Sequence, residues 1–116
     1  MNPTSGFGLE EAAMAQLDDN VGADLQHLQD IGEADNTIVI FTTDNGAATF
    51  TWPDGANTPF KGQKGTGYEG GFRVPCIIRW PGHVQPGRVE NGIFSGLDWL
   101  PTLAAARENR TSLTNC

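Results

Sequence analysis

This chain has little from which to build an oxidised framework or a membrane segment. Its 116 residues include two cysteines, Cys76 and Cys116, and the second is the last residue. Two cysteines so placed make no disulfide scaffold and leave the redox compartment open. No apolar run approaches the roughly 20 residues that a membrane span needs. The N-terminal stretch MNPTSGFGLEEAAM has neither a basic region nor an apolar core, so no secretory signal is read there. Histidine is scarce too. His27 and His83 stand alone, without neighbours at catalytic or metal-ligand spacing, and read as surface residues. No Gly-x-Ser-x-Gly elbow or Cys/His nucleophile pair occurs.

Positive charge is missing from half the chain. Residues 1–60 contain no Lys or Arg and ten acids, a charge of −10. All seven Lys and Arg residues fall from Lys61 onward, against four acids, a charge of +3. A strongly acidic half excludes nucleic-acid binding over a broad surface. The basic half can receive a small anion. Most of the N-terminal acids read as the solvated face of a helix.

What is present is one modest domain's worth of chain. Hydrophobic residues make up 38%, and there are 15 glycines, a balance that suits a loop-rich α/β chain rather than a helical bundle. Residues 1–8 carry too many Gly, Pro and Asn for a regular element and read as frayed. Met14, Leu17, Val21, Leu25 and Leu28 recur at spacings of three and four, which predicts a helix from Leu9 to about Ile31. Gly32 is a natural stop. The apolar run Ile38-Val39-Ile40-Phe41 predicts a strand buried on both faces. A second strand is expected at about Val74–Trp80, placing Cys76 in a buried position, with a short third at Val89–Phe94. A last helix is expected over Gly96–Ala106, with Pro101 in its first turn and Leu97, Leu100, Leu103 and Ala104 on one face. Residues 107–116 read as a loose tail.

The first strand ends at once in Asp44-Asn45-Gly46. Ligands bind at the carboxyl ends of strands in open α/β sheets. A carboxylate and a carboxamide there offer oxygen, the ligand atom of a hard cation such as calcium. Taken alone, Asp-Asn-Gly reads first as a turn. A long aperiodic segment follows, with glycines spread from Gly55 to Gly71. A loop of that length inside a compact domain is functional or disordered, and Trp52, Phe60 and Tyr68 favour order. Lys61 and Lys64 bring ammonium groups to that flexible backbone, although isolated lysines are by default simply solvated. Glu69 and Arg73, four apart, read as a structural pair. Gly65-x-Gly67-x-x-Gly70 matches a dinucleotide fingerprint in letters only. No strand precedes it, and Gly71 and Pro75 argue against a helix after it. Lys64-Gly65-Thr66 is likewise not a phosphate-binding P-loop.

Together, LDDNVG, TIVIFTTDNG, FKGQKGTGYEGGFRVPCIIRWPG and GLDWLPTLAA, in this order and spacing, closely resemble the sulfatase family, the arylsulfatase-like members of the alkaline-phosphatase-like fold. The resemblance covers about residues 9–106. It implies a partial α/β catalytic domain with an incomplete mixed sheet packed by helices. It also implies that Asp44 and Asn45 are two of the ligands of a Ca2+ ion. Lys64, in the KGT triplet, takes the place of the lysine that contacts the substrate sulfate. The parent activity is that of a sulfuric ester hydrolase acting on a small-molecule or carbohydrate sulfate ester, and which ester is left open. Such enzymes use a formylglycine nucleophile made from a Cys/Ser-x-Pro/Ala-x-Arg motif, and no such motif occurs in these 116 residues. Cys76 is followed by Ile77-Ile78-Arg79 and is not that residue. The expectation is a fragment, a truncated gene model or a degenerate paralogue. It would be inactive alone and marginally stable, with exposed strand edges. The alternatives are a phosphoryl or phosphonate hydrolase on the same fold and a non-catalytic anion-binding module.

Overall fold

The structure, a computed structural model, describes residues 8–51 and 59–113, with the backbone alone for 108–113. The expectation of a frayed start and the aromatic Trp52 fall on residues outside that set. The chain forms two compact units, residues 1–86 and 87–116.

In the first unit, helix α1 spans Leu9–Asp30, as the apolar spacing predicts. Glu10 and Glu11 in its first turn suit the positive end of the helix dipole. Gly32 adopts φ +74°, which a side chain would strain. That conformation lets Gly32 N–H donate to Gln29 O at 3.0 Å and Glu33 N–H to Leu28 O at 2.9 Å, the Schellman closure of a helix end. A single 3-10 turn, Ala34–Asn36, then delivers the chain to the sheet.

Strands β1 (Val39–Thr42) and β2 (Cys76–Arg79) pair antiparallel, with Val39 opposite Arg79 and Thr42 opposite Cys76. Alternation divides their side chains between two faces. Val39, Phe41, Ile77 and Arg79 share one face, and with Met14, Leu17, Val21 and Leu25 of α1 they line an apolar groove of about 310 Å³. The helix stripe and the sheet thus find each other as their patterns require. Arg79 adds a polar anchor, donating from Nη1 to Ala34 O at 2.6 Å and pairing with Asp35 at 3.7 Å.

Three expectations need correction here. β1 is not buried on both faces: Val39, Ile40 and Phe41 are half-buried and Thr42 is exposed, and in β2 Ile77 is 64% exposed and Ile78 38%. Cys76 is exposed rather than buried. The reason is geometric. Among the described residues the sheet has two strands, so every residue has a ladder partner on one side only, and α1 faces one surface of it across an open groove. Thirdly, a single helical turn, α2 (Glu69–Phe72), does form where Gly71 and Pro75 argued against one. It ends at Arg73, before Pro75, with Arg73 N–H donating to Glu69 O at 2.8 Å.

In the second unit, the strand expected at Val89–Phe94 does not form. Ile93 is fully exposed there, and Gly87 enters the segment at φ +72°. A 3-10 turn, Gly96–Asp98, leads into α3 (Trp99–Leu113). A reciprocal Ser95–Asp98 capping box starts it, with Ser95 N–H donating to the Asp98 carboxylate at 2.7 Å. Pro101 lies in the first turn of α3, as expected. The helix runs past Ala106 through Leu113, where a loose tail was read. Arg107, Glu108 and Arg110 are good helix formers without apolar periodicity, which is why the pattern stopped before the element did. No described helix is long and apolar enough to cross a membrane.

Candidate active site

Every candidate residue lies in the first unit, where β1 ends and the Gly-rich loop folds back. Thr42 Oγ1 donates to Pro75 O at 2.8 Å, tying the end of β1 to the approach to β2. Thr43 Oγ1 donates to Asn45 O at 2.9 Å, forming the tight turn that carries Asp44. Asp44 is exposed and accepts no hydrogen bond among the described residues. Asn45 is half-buried, and its Nδ2 donates to Gly46 O at 3.0 Å. That bond uses the nitrogen of the carboxamide and leaves its oxygen as an acceptor.

Three consecutive bonds dock the loop on this strand end. Gly46 N–H donates to Gly71 O at 2.9 Å and Lys64 N–H to Ala47 O at 2.9 Å. Thr49 N–H donates to the Gln63 side-chain oxygen at 3.1 Å. The approach is close enough to demand glycine. A Cβ on Gly46 would collide with the Gly70 carbonyl oxygen, and one on Gly70 would lie 2.5 Å from Gly62 O and 2.6 Å from Phe60 O. Gly46, Gly70 and Gly71 are buried as a result, Gly46 between half-buried residues and the Gly70–Gly71 pair between exposed ones. Of the glycines that match a nucleotide motif in letters only, Gly70 is thus a packing position between backbones, whereas Gly65 and Gly67 face open space.

The loop carries three cations, and two are already engaged. Arg73 pairs with Glu69 at 3.0 Å, the predicted structural pair, and its guanidinium lies 4.1 Å from the Phe60 ring centroid. Lys61 Nζ lies 4.3 Å over the Tyr68 ring. Lys64 is exposed, and its ammonium has no side-chain partner among the described residues. His83 stacks on Trp80 with centroids 4.5 Å apart, far from metal-ligand company. Among the described residues no three His, Cys, Asp or Glu side chains cluster tightly enough to hold a metal ion. Asp44 and Asn45 offer hard oxygen donors of the right kind for calcium, but two donors fall short of the six to eight it takes. They fit the ion as part of a ligand set.

The sequence-derived candidates Asp44, Asn45 and Lys64 lie on the strand end and the loop docked to it, and Gln63, Thr49 and Thr66, which help hold that loop, were not among them. No periodic pattern announces an amide that bridges two loops. The one available signal was its place immediately before Lys64.

The sulfatase family model matches residues 10–107, and the chain belongs to the sulfatase family. It is 44% identical over 104 residues to human N-acetylgalactosamine-6-sulfatase, covering 88% of this chain and 20% of that protein. It is 43% identical over 102 residues to human arylsulfatase A, covering 87% of this chain and 20% of that protein. The crystal structure of the sulfatase PsFucS1 from Pseudoalteromonas sp. superposes with a TM-score of 0.65 at 44% identity, over 71% of this chain and 16% of that one. The chain therefore spans about a fifth of the length of the curated relatives it matches.

Proposed function

We propose that this chain carries one part of a sulfuric ester hydrolase site. In it, Lys64 contacts the sulfate group, and Asp44 and Asn45 supply two oxygen ligands to Ca2+. The observation that carries the reading is the docking of the Lys64 loop on the Asp44-Asn45 strand end through the Gly46–Gly71 and Lys64–Ala47 bonds. Sulfuryl transfer shifts negative charge between the sulfuryl oxygens and the leaving alcohol. Preorganised positive charge lowers that barrier more effectively than water does. Lys64 suits the task because the other two cations of the loop are occupied by Glu69, Phe60 and Tyr68. A compact ammonium is a good partner for a tetrahedral oxyanion. A bound calcium ion would supply further charge neutralisation at the same oxygens. The carboxylate of Asp44 and the carboxamide oxygen of Asn45 would hold their share of it.

The nucleophile is another matter. These 116 residues contain no Cys/Ser-x-Pro/Ala-x-Arg motif from which formylglycine could arise. The chain by itself then binds rather than turns over: a sulfate-recognising, calcium-contacting segment of the alkaline-phosphatase-like type, with a small-molecule or carbohydrate sulfate ester as the substrate class. Assay of the purified chain with an aryl sulfate and calcium is expected to give no hydrolysis above background, and turnover would refute the reading. Lys64→Ala in a complete sulfatase carrying this segment should lower kcat/KM for sulfate esters by about 10²–10³, the usual cost of removing one such contact. Unchanged kinetics would remove Lys64 from the site.

A further inference from the structure

We propose that Gln63 is a positioning residue for Lys64, the clasp that holds the Lys64 loop against the segment following Asp44 and Asn45. Its consequence for sulfate rests on the reading of Lys64 given above; its structural content does not. The Gln63 side-chain oxygen accepts from Thr49 N–H at 3.1 Å and also from Thr49 Oγ1. One carbonyl oxygen thereby bridges two groups of the opposite segment. The main chain of Gln63 is fixed as well. Its N–H donates to Thr66 Oγ1 at 3.0 Å, and its carbonyl accepts from Thr66 Oγ1 at 2.7 Å and from Thr66 N–H at 3.0 Å. Lys64 is therefore held in a closed turn between Gln63 and Thr66, and Gly65 at φ +83° completes the reversal.

The need for such a clasp follows from the composition of the loop. Gly62, Gly65 and Gly67 flank Lys64, and glycine leaves the backbone more conformational freedom than any other residue. The Lys side chain adds four rotatable bonds. An ammonium on that stem meets an anion reproducibly only if its own Cα is held. The Lys64–Ala47 bond is a single main-chain link, and the Gln63–Thr49 contact lies one residue from it on the loop side. Losing the clasp leaves the Gln63–Thr66 turn intact but tied to the Ala47–Thr49 segment by the Lys64–Ala47 bond alone.

Amide hydrogen exchange on the full chain, followed by NMR, tests this directly. Gln63→Ala should accelerate exchange at Lys64 and Thr49 by about tenfold or more, while amides of β1 and β2 keep their rates. Gln63→Glu keeps a side-chain acceptor of the same length and should restore both amides. The proposal is overturned if Lys64 exchange is unchanged in Gln63→Ala, if all amides accelerate together, or if Gln63→Glu behaves like alanine. A wild-type Lys64 amide exchanging at the rate of an unstructured chain overturns it too. Titration of the same samples with sodium sulfate keeps the two readings apart. Sulfate that leaves Lys64 unperturbed while the exchange pattern holds refutes the sulfate contact and supports the clasp.

Discussion

A missing side chain does as much at this strand end as any side chain present. Gly46, Gly70 and Gly71 let two backbones meet at a distance no Cβ would allow. Gly46→Ala should therefore destabilise the first unit by about 1–3 kcal/mol, the range for forcing extra volume into a packed contact. A urea midpoint within error of wild type would contradict this. The Glu69–Arg73 pair should matter far less. Both side chains are about half exposed, at 55% and 52%, and exposed i,i+4 pairs contribute about 0.3–0.5 kcal/mol. What the sequence made legible was placement: Asp44 and Asn45 at a strand end, Lys64 on the loop docked there, and the Glu69–Arg73 pair four apart. Gln63 and Thr49 were not legible, because an amide accepting from a residue 14 positions away leaves no mark in the linear order.

The elements vary in how strongly their own sequence determines them. Helix α1 has an apolar stripe, acids in its first turn and a glycine in its closing turn, and all three agree. Gly32→Ala must place a Cβ at φ +74°, which costs about 1–2 kcal/mol and should fray the last turn of α1. Faster amide exchange at Gln29 to Glu33, with the first turns unchanged, is the expected signature. Ser95→Ala removes half of the capping box and should cost α3 about 1 kcal/mol. An unchanged thermal transition in the second unit would show that the box is ornamental. Burial of β1 on both faces was misjudged because an apolar run reports what a strand can bury, not how much cover it meets. Ile77 and Ile78 have the residue type of a core strand and the exposure of an edge. The single turn α2 was missed because its Gly70 and Gly71 are poor helix formers; contacts with Gly46, Phe60 and Gly62 hold them there.

At the scale of the whole molecule, apolar surface outruns cover. Leu97 and Leu100 are 88% and 80% exposed in the second unit, and Leu9, Met14 and Ile77 are 70%, 61% and 64% exposed in the first. Patches of this kind associate or aggregate in water. Sedimentation of the purified chain should show self-association rising with concentration, and a soluble monomer with a sharp two-state melt would argue the opposite. Membership of the sulfatase family was legible from four motifs in order, since their joint spacing is far more specific than any one of them. The division into two units was not, because nothing in the composition around Pro86 and Gly87 distinguishes a boundary from a turn. In the proposed site, the strand end and the docked loop are adjoining sulfate- and calcium-binding parts. An NMR titration of the full chain with calcium chloride and then sodium sulfate tests it most directly. Calcium should shift Asp44 and Asn45 with weak, roughly millimolar affinity, an effect lost in Asp44→Asn, and sulfate should shift Lys64. Shifts spread evenly over the acidic face of α1, with Asp44, Asn45 and Lys64 unmoved, would contradict it.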